Sequence, residues 1–212
     1  YLWKWYGVSL ARYNDSLTLE QLIVAHNKIK ANAASLYNEA QLLFENEMYA
    51  RSYFLLCIAS EELGKSIIVI SAIVDLMAEE INWRSFWKKL RNHKDKTGTI
   101  EFFENAVVSS DDNFTPWRTV AEQISDFEEI KMASLYADIF QVDFFTPNEI
   151  ISAEMTKAML ELVKHRLEFI NSISPSDDTI RAVKKEDIRL YREKLRKLGL
   201  KIYGKAKRTV DP

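Results

Sequence analysis

Apolar residues recur along this chain with the spacing of α-helices. Early in the chain they stand alternately four and three residues apart, which is typical of helices that pack side by side in a bundle. Thr18 and Gln21 have the pattern of a capping box and predict a helix from there to about Asn46. Period-two alternation, which is typical of strands, is almost absent from the chain. The apolar stripe of this first helix comprises Leu22, His26, Ile29, Ala33, Leu36, Ala40 and Leu43.

A second predicted helix, residues 50–79, is apolar on nearly every side and should therefore be buried. Its short connection to the first helix favours an antiparallel return. The polar run Ser60-Glu61-Glu62-Leu63-Gly64-Lys65 interrupts its middle. Because glutamate and lysine are rarely buried without a partner, this run predicts partners on another helix. Glycine costs a helix about 1 kcal/mol relative to alanine, so Gly64 indicates that another segment packs closely against it.

A third helix is predicted to begin after Asn82, which is a favourable N-cap residue. Its apolar face carries Trp83 and Phe86, which are more typical of a core than of a base-stacking platform. The same stripe continues to His93, so we expect this histidine on the buried face of the helix. Gly98 is the predicted end of the helix.

The second half of the chain repeats the signals of helix starts. A threonine N-cap followed by proline at the first helical position occurs at Thr115-Pro116 and again at Thr146-Pro147. The predicted segments are a helix over 100–108, a polar loop over 109–114, helices over about 115–140 and 146–173, a linker over 174–178 and a basic helix over about 184–197.

Together these elements predict an all-α fold, an up-and-down bundle of long antiparallel helices with a basic C-terminal helix. The 212 residues suit one domain with a tail. We expect a leader over residues 1–14, the helical bundle over 15–175, and a linker with the basic helix over 176–212.

Charge and cysteine content limit the expected binding partners and cellular compartment. The net charge of −2 hides an asymmetry, because residues 181–208 hold twelve Lys and Arg but three Asp and Glu. A basic tail could bind nucleic acid or an acidic partner, although a solvated amphipathic helix explains it as well. The single cysteine, Cys57, lies in an apolar run and favours a reducing compartment. No signal-peptide pattern and no bilayer-length apolar stretch occur, so we expect a soluble cytoplasmic protein without membrane contact.

Most metal and cofactor sites can be excluded from the residue pattern. A di-iron bundle needs glutamate three residues before histidine, and His26, His93 and His165 all lack it. A lone cysteine argues against zinc, and no glycine-rich phosphate loop occurs. We therefore expect no metal and no cofactor. His26 lies on an apolar stripe, as core histidines do, and His165 lies between cations on a face that should be solvated.

His93 and its cationic neighbours are the main candidates for chemistry. Metal-free cleavage of RNA needs a base, an acid and cations that stabilise the charge on phosphorus, and histidine titrates in the range for the first two. Lys88, Arg91, Lys94 and Lys96 lie within about two helical turns of His93. Cations near a helix C-terminus also interact favourably with the helix dipole, so a structural interpretation stays open.

The polar run of the second helix has two interpretations as well. Glu61 and Glu62 precede Lys65 by four and three residues, the favoured order for ion pairs on a helix. They could form a buried network that joins the second and third helices. A glutamate could instead hold His93 in one tautomer, or hold a catalytic lysine.

Several motifs in this order resemble the AbiV family of bacterial abortive-infection proteins, which is grouped with the HEPN superfamily of helical domains. The resemblance extends from about Leu22 to Ile170. The motifs are Asn38-Glu39-Ala40-x-x-Leu43, Ala59-Ser60-Glu61-Glu62-Leu63-Gly64-Lys65, Trp83-x-x-Phe86, His93-Lys94-x-Lys96, Leu135-Tyr136-x-Asp138 and Thr146-Pro147.

The resemblance implies a helical bundle that forms a homodimer and serves phage defence. Many relatives in the wider superfamily are metal-independent ribonucleases with an arginine, four to six residues, and then a histidine at the dimer interface. Lys88 is the cation at the corresponding positions before His93. The implied function is an endoribonuclease toxin that cleaves cellular or phage RNA and blocks translation, with a phage-encoded or host activator as a further partner. Arg91 lies too close to His93 in sequence to fit that motif. We nevertheless expect His93, Lys88 and Arg91 as catalytic residues, Lys94 and Lys96 as phosphate or RNA contacts, and Glu61, Glu62 and Lys65 as the supporting network.

Two other functions stay open at this point. The bundle could be catalytically inactive and bind a phage or host translation component, and lysine in place of the superfamily arginine favours this alternative. A nucleotide-sensing domain with a phosphate pocket near Lys65 and Lys94 is the third possibility.

Overall fold

The computed structural model describes residues 16–108, 126–140, 143–190 and 193, and two long helices dominate it. Helix α1 (Leu19–Glu45) and helix α2 (Tyr49–Met77) pack along their lengths. The predicted capping box is confirmed: the Gln21 amide donates to Thr18 Oγ1 at 3.2 Å, and the Thr18 amide donates to Gln21 Oε1 at 2.9 Å. The predicted boundaries of both helices agree with these bounds within about two residues.

Helix α2 is the central element of the bundle, as its apolar sequence predicts. It contacts α1 and the later helices on several sides. Cys57 is fully buried there, and burial raises the pKa of its thiol, so it behaves as an inert core residue. The buried aliphatic side chains of α2, apart from its alanines, are Leu56, Leu63, Ile67, Ile68, Val69 and Ile73.

The predicted third helix is two helices, so the predicted end at Gly98 is wrong. Helix α3 (Trp83–Arg91) has the expected N-cap, with the Ser85 amide donating to Asn82 Oδ1 at 3.0 Å. Asn92 then adopts an extended backbone, and helix α4 (His93–Val108) begins after it. The break has a local cause, because Asn92 Oδ1 accepts from the Lys94 amide at 3.0 Å as an asparagine N-cap does. Gly98 lies inside α4.

The segment after α4 departs from the all-helical prediction. Helix α5 is described over 126–133, while the predicted start at Thr115 and the predicted loop at 109–114 lie outside the described residues. The predicted continuation to Phe140 is wrong, because a hairpin of β1 (Asp138–Phe140) and β2 (Asp143–Phe145) follows. The strands pair antiparallel with Ile139 opposite Phe144.

The last predicted long helix is also interrupted. Thr146 caps a short helix α6 (Pro147–Ile150), and Ser152 caps helix α7 (Ala153–Ile173). Between them Ile151 is extended and its side chain is buried in the core, which ends the first helix. The prediction of one continuous helix was wrong because Ser152 is itself a strong N-cap.

The start of the basic C-terminal segment packs on the bundle. Helix α8 (Asp177–Ala182) begins inside the predicted linker, and helix α9 is described over 185–190. Ile180 and Ile188 are buried, and Arg181 donates to both carboxylate oxygens of Glu20. Residues 191, 192 and 194–197 of the predicted basic helix lie outside the described part of the chain, as does the predicted leader over 1–14.

Apart from the hairpin, the predicted all-α bundle is confirmed. Among the described residues, no helix has the length and apolar character needed to cross a membrane.

Candidate functional site

The carboxylate of Glu61 is the centre of a buried charge cluster. Its side chain is 3% exposed in the middle of α2. Oε1 accepts from Lys131 Nζ at 2.7 Å, and Oε2 accepts from His93 Nδ1 at 2.6 Å and from Lys96 Nζ at 2.8 Å. We call these four residues the Glu61 cluster. It joins α2 to the start of α4 and to α5.

Gly64 permits α4 to approach closely enough to form this cluster. A Cβ atom at Gly64 would lie 2.1 Å from the carbonyl oxygen of Lys96, well inside van der Waals contact. Any larger residue would therefore push α4 away from α2. The predicted close approach to Gly64 is confirmed, and the approaching segment is the first turns of α4.

His93 lies at the edge of the cluster with much of its ring in solvent. Its side chain is 59% exposed, so the prediction that it points along a buried face is wrong. The break at Asn92 makes His93 the first residue of α4, with Nδ1 directed at Glu61. Because an ionised carboxylate only accepts hydrogen bonds, the proton of a neutral ring lies on Nδ1. Nε2 is then unprotonated and able to take a proton.

The pKa values of the buried charges favour their ionised forms. Burial opposes ionisation of Glu61, but hydrogen bonds from Lys131, Lys96 and His93 outweigh it and lower the Glu61 pKa. Burial likewise opposes the charge on Lys131, but its contacts with Glu128 and Glu61 raise its pKa. Lys131 donates to Glu128 Oε2 at 2.5 Å as well as to Glu61. Glu61 and Lys131 are therefore charged near neutral pH.

The structure separates the predicted cations into two groups. One group is exposed and lies within six residues of His93: Lys88 and Arg91 on α3, and Lys94 on α4. Lys96 is only 4% exposed and binds Glu61, which places it in the supporting network and not among groups that could contact phosphate. The Arg91 Nε also donates to the Trp87 carbonyl at 3.1 Å, which holds its side chain along α3.

The predicted supporting residues are not one network. Glu61 bonds to groups from other helices, whereas Glu62 and Lys65 form an ion pair with each other on α2. Glu62 is buried and Lys65 is half-buried. Their order on the helix therefore correctly indicated one local pair, and it did not indicate the partners of Glu61.

Sequence reasoning missed two buried cations, Lys131 and Arg166. Arg166 on α7 is 1% exposed and its Nη1 donates to Ser60 Oγ at 2.6 Å. Its Nε lies 3.1 Å from both oxygens of Glu104, and its Nη2 also binds Glu101. Burial raises the Glu104 pKa, while Arg166 acts in the opposite direction.

A sequence signal for Arg166 existed, because it occupies the buried stripe of α7 between Val163 and Ile170. A cation in such a stripe predicts buried carboxylate partners. Lys131 has a weaker signal: it follows Phe127, which packs against the core, by one helical turn. Neither position identifies the partner, which lies far away in the chain.

The other histidines fit their predicted environments. His26 is 1% exposed, its Nδ1 lies 2.9 Å from Ser66 Oγ, and its Nε2 has no partner within the described ranges. Burial and the nearby Lys30 lower its pKa to about 4, so it is a neutral core residue. His165 is exposed on α7.

Other predicted alternatives can be placed as well. The ring of Phe86 is buried and contacts Trp83 and Trp87 edge-on, at centroid distances of 5.7 and 4.8 Å. These aromatics therefore belong to the core. In the described part of the chain, no group of three or more His, Cys, Asp or Glu side chains could hold a metal ion.

Comparison with known proteins gives one match. A family model named HEPN_AbiV, described as AbiV, matches residues 21–168. That range covers more than two thirds of the chain and runs from α1 into α7, so it contains the whole Glu61 cluster and Arg166. No curated protein and no solved structure matches the chain.

Proposed function

Because this chain belongs to the AbiV family of the HEPN superfamily, we propose that it acts in abortive infection as a metal-independent endoribonuclease. Its substrate would be cellular or phage RNA, and cleavage would block translation. We include a homodimer and an activator from phage or host in this proposal.

The contact between His93 and Glu61 is the observation that carries the proposal. Nδ1 of an exposed histidine lies 2.6 Å from a carboxylate that is almost completely buried. A carboxylate in this position fixes the ring and its tautomer, and it stabilises the imidazolium that forms when Nε2 takes a proton. A histidine on a merely solvated surface needs no such partner.

This arrangement suits cleavage of RNA by transfer to the 2′-hydroxyl. Nε2 of His93 takes the 2′-hydroxyl proton, the 2′-oxygen forms a bond to phosphorus, and the bond from phosphorus to the 5′-oxygen breaks. The leaving 5′-oxygen takes a proton from an imidazolium, which we assign to His93 of a second copy. The products are a 2′,3′-cyclic phosphate and a 5′-hydroxyl, so no water and no metal ion is consumed in this step.

We assign the contacts with phosphate to the exposed cations Lys88, Arg91 and Lys94. Lys96 and Lys131 are excluded from this role because Glu61 already binds both ammonium groups. Two of these three cations are lysines, which contact phosphate as point charges and lack the bidentate geometry of arginine. We therefore expect binding to RNA that weakens steeply with salt and depends little on sequence.

The test is cleavage of total RNA in EDTA by the wild type, His93→Ala and His165→Ala. His165→Ala is the matched control, because this histidine is exposed on α7 and outside the cluster. We expect His93→Ala to reduce the rate by a factor of about 10² or more, which is the usual range for losing a general base. The control should cleave normally, and mapped ends should carry cyclic phosphate. Equal cleavage by wild type and His93→Ala would overturn the assignment.

A second candidate is a catalytically inactive bundle that binds a phage or host translation component. Lys88 in place of the superfamily arginine and the basic residues after α8 favour it. Truncation after Leu190 separates the two functions and keeps the buried Ile180 and Ile188. A binding protein of this type should lose its partner on truncation, whereas the ribonuclease should keep its metal-free cleavage chemistry.

A further inference from the structure

Lys131 holds the side of the Glu61 carboxylate that faces away from the histidine. It donates to Oε1 at 2.7 Å, whereas His93 and Lys96 both contact Oε2. Rotation of the carboxylate would break the Lys131 contact and the His93 contact together. Lys131 is 5% exposed, so any effect on RNA passes through the carboxylates that it binds.

The charges of the Glu61 cluster and of Glu128, which binds Lys131, balance when the histidine ring is neutral. Glu61 and Glu128 supply two carboxylates, and Lys96 and Lys131 supply two ammonium groups. His93 faces Glu61 from α2 and Lys96 from α4, whose Nζ is 3.3 Å from Nδ1. Removal of one ammonium group leaves an excess negative charge, which favours a proton on the histidine.

We propose that Lys131 is a positioning residue that fixes the Glu61 carboxylate and offsets negative charge that would hold a proton on His93, so that Nε2 is unprotonated in the copy that acts as the base. The catalytic part of this inference rests on the proposed ribonuclease function. Helix α5 would thereby control the protonation of a residue on α4 through a carboxylate on α2. The exposed Lys94 next to His93 is present in all variants below and does not distinguish them.

The test compares Lys131→Met, Lys131→Arg and the double variant Glu128→Gln/Lys131→Met. In Lys131→Met the Glu61 cluster together with Glu128 has an excess negative charge. We expect the acid limb of the rate profile to move to higher pH by about one unit, with the KM for RNA unchanged. Lys131→Arg keeps the charge and should keep the profile. The double variant removes one charge of each sign, so its profile should return towards that of the wild type while its rate stays low.

Nitrogen-15 NMR of the His93 ring gives a readout that needs no RNA. The wild type should show a protonated Nδ1 and a bare Nε2, and the ring of Lys131→Met should stay doubly protonated to higher pH. Spectra of His93→Ala identify which signals belong to His93. Lys157→Met removes an exposed lysine of α7 and controls for the loss of net charge. The double variant, which leaves no unpaired buried charge, covers the case in which Lys131→Met fails to fold.

The outcomes separate the two proposals. A ring in Lys131→Met that titrates like the wild type would overturn the role of Lys131, whatever the RNA assay shows. Loss of activity with an unchanged pH profile would also contradict it. Absence of cleavage by every protein, together with the expected change in the ring, would refute a ribonuclease that acts without an activator and leave the structural link from Lys131 to His93 intact.

Discussion

Replacement of Gly64 by alanine should separate α2 from α4 and disturb the site. The added Cβ would lie 2.1 Å from the Lys96 carbonyl oxygen, whereas ordinary contacts begin near 3.4 Å. The obstructing atom belongs to the backbone, so no side chain can rotate away. Helix α4 must therefore move by about 1.3 Å at this point. The contact between Lys96 and Glu61, now 2.8 Å, would be weakened by this shift.

Two opposing effects determine the change in stability. Alanine favours a helix over glycine by about 1 kcal/mol. Overpacking of a tight interface costs about 1–3 kcal/mol, and the weakened buried ion pair adds to that cost. We expect Gly64→Ala to lower the free energy of unfolding by about 1–2 kcal/mol. Because a displacement of about 1 Å can reduce a catalysed rate by a factor of about 10², we also expect a large loss of RNA cleavage.

Urea unfolding followed by circular dichroism measures the first effect, and the EDTA cleavage assay measures the second. Ser71→Ala is the control, because Ser71 is exposed on α2 and tests helix propensity alone. Should Gly64→Ala prove more stable than the wild type, as propensity alone requires, and cleave RNA normally, the proposed spacing of α2 and α4 would be refuted.

Two further changes test the buried charges and the core histidine. The His26 pKa is lowered to about 4, so the folded protein binds fewer protons than the unfolded chain between that value and the ordinary 6.5. Stability conferred by neutral His26 should therefore be lost as pH falls, by about 2 kcal/mol between pH 7.5 and pH 5 in urea titrations. His26→Asn, which retains a polar atom for Ser66, should lack this part of the pH dependence. Arg166→Met removes the cation from two carboxylates and should lower the free energy of unfolding by about 3–5 kcal/mol.

For each of these two predictions, one experimental result would contradict the reasoning. An equal loss of stability on acidification in His26→Asn would show that other groups cause the pH dependence. For Arg166, the control is Arg181→Met, which breaks an exposed pair with Glu20 and should change stability little. Similar effects of the two arginine variants would mean that burial of Arg166 contributes nothing to its role.

The long helices and their caps could be predicted because their signals are local. Thr18 and Gln21 satisfy each other across one turn, and the apolar surface of α2 predicts its burial. The close approach at Gly64 was predicted for the same reason, since glycine in a long helix is unfavourable without a packing role. The break at Asn92 was missed because the apolar stripe continues past it. An N-cap hydrogen bond from the Lys94 amide decided the boundary.

The partners in the candidate site could be predicted only in part. A role for Glu61 followed from its apolar surroundings, but Lys131 lies 70 residues further along the chain. No pattern within α2 or α5 specifies that pairing, because it depends on how the bundle folds. The hairpin was missed for a different reason. Its strands have three residues each, which is too short to show a period-two pattern.

The order in which a ribosome makes the chain gives the Glu61 cluster another consequence. Its histidine and its α5 lysine follow the carboxylate by 32 and 70 residues. A nascent chain therefore contains Glu61 and His93 well before it contains Lys131. A translation product that terminates early, within the segment between α4 and α5, lacks the residue that anchors Oε1. Only chains synthesised through α5 can form both contacts of Glu61, with His93 and with Lys131. The proposed activity is therefore delayed until most of the bundle has been synthesised.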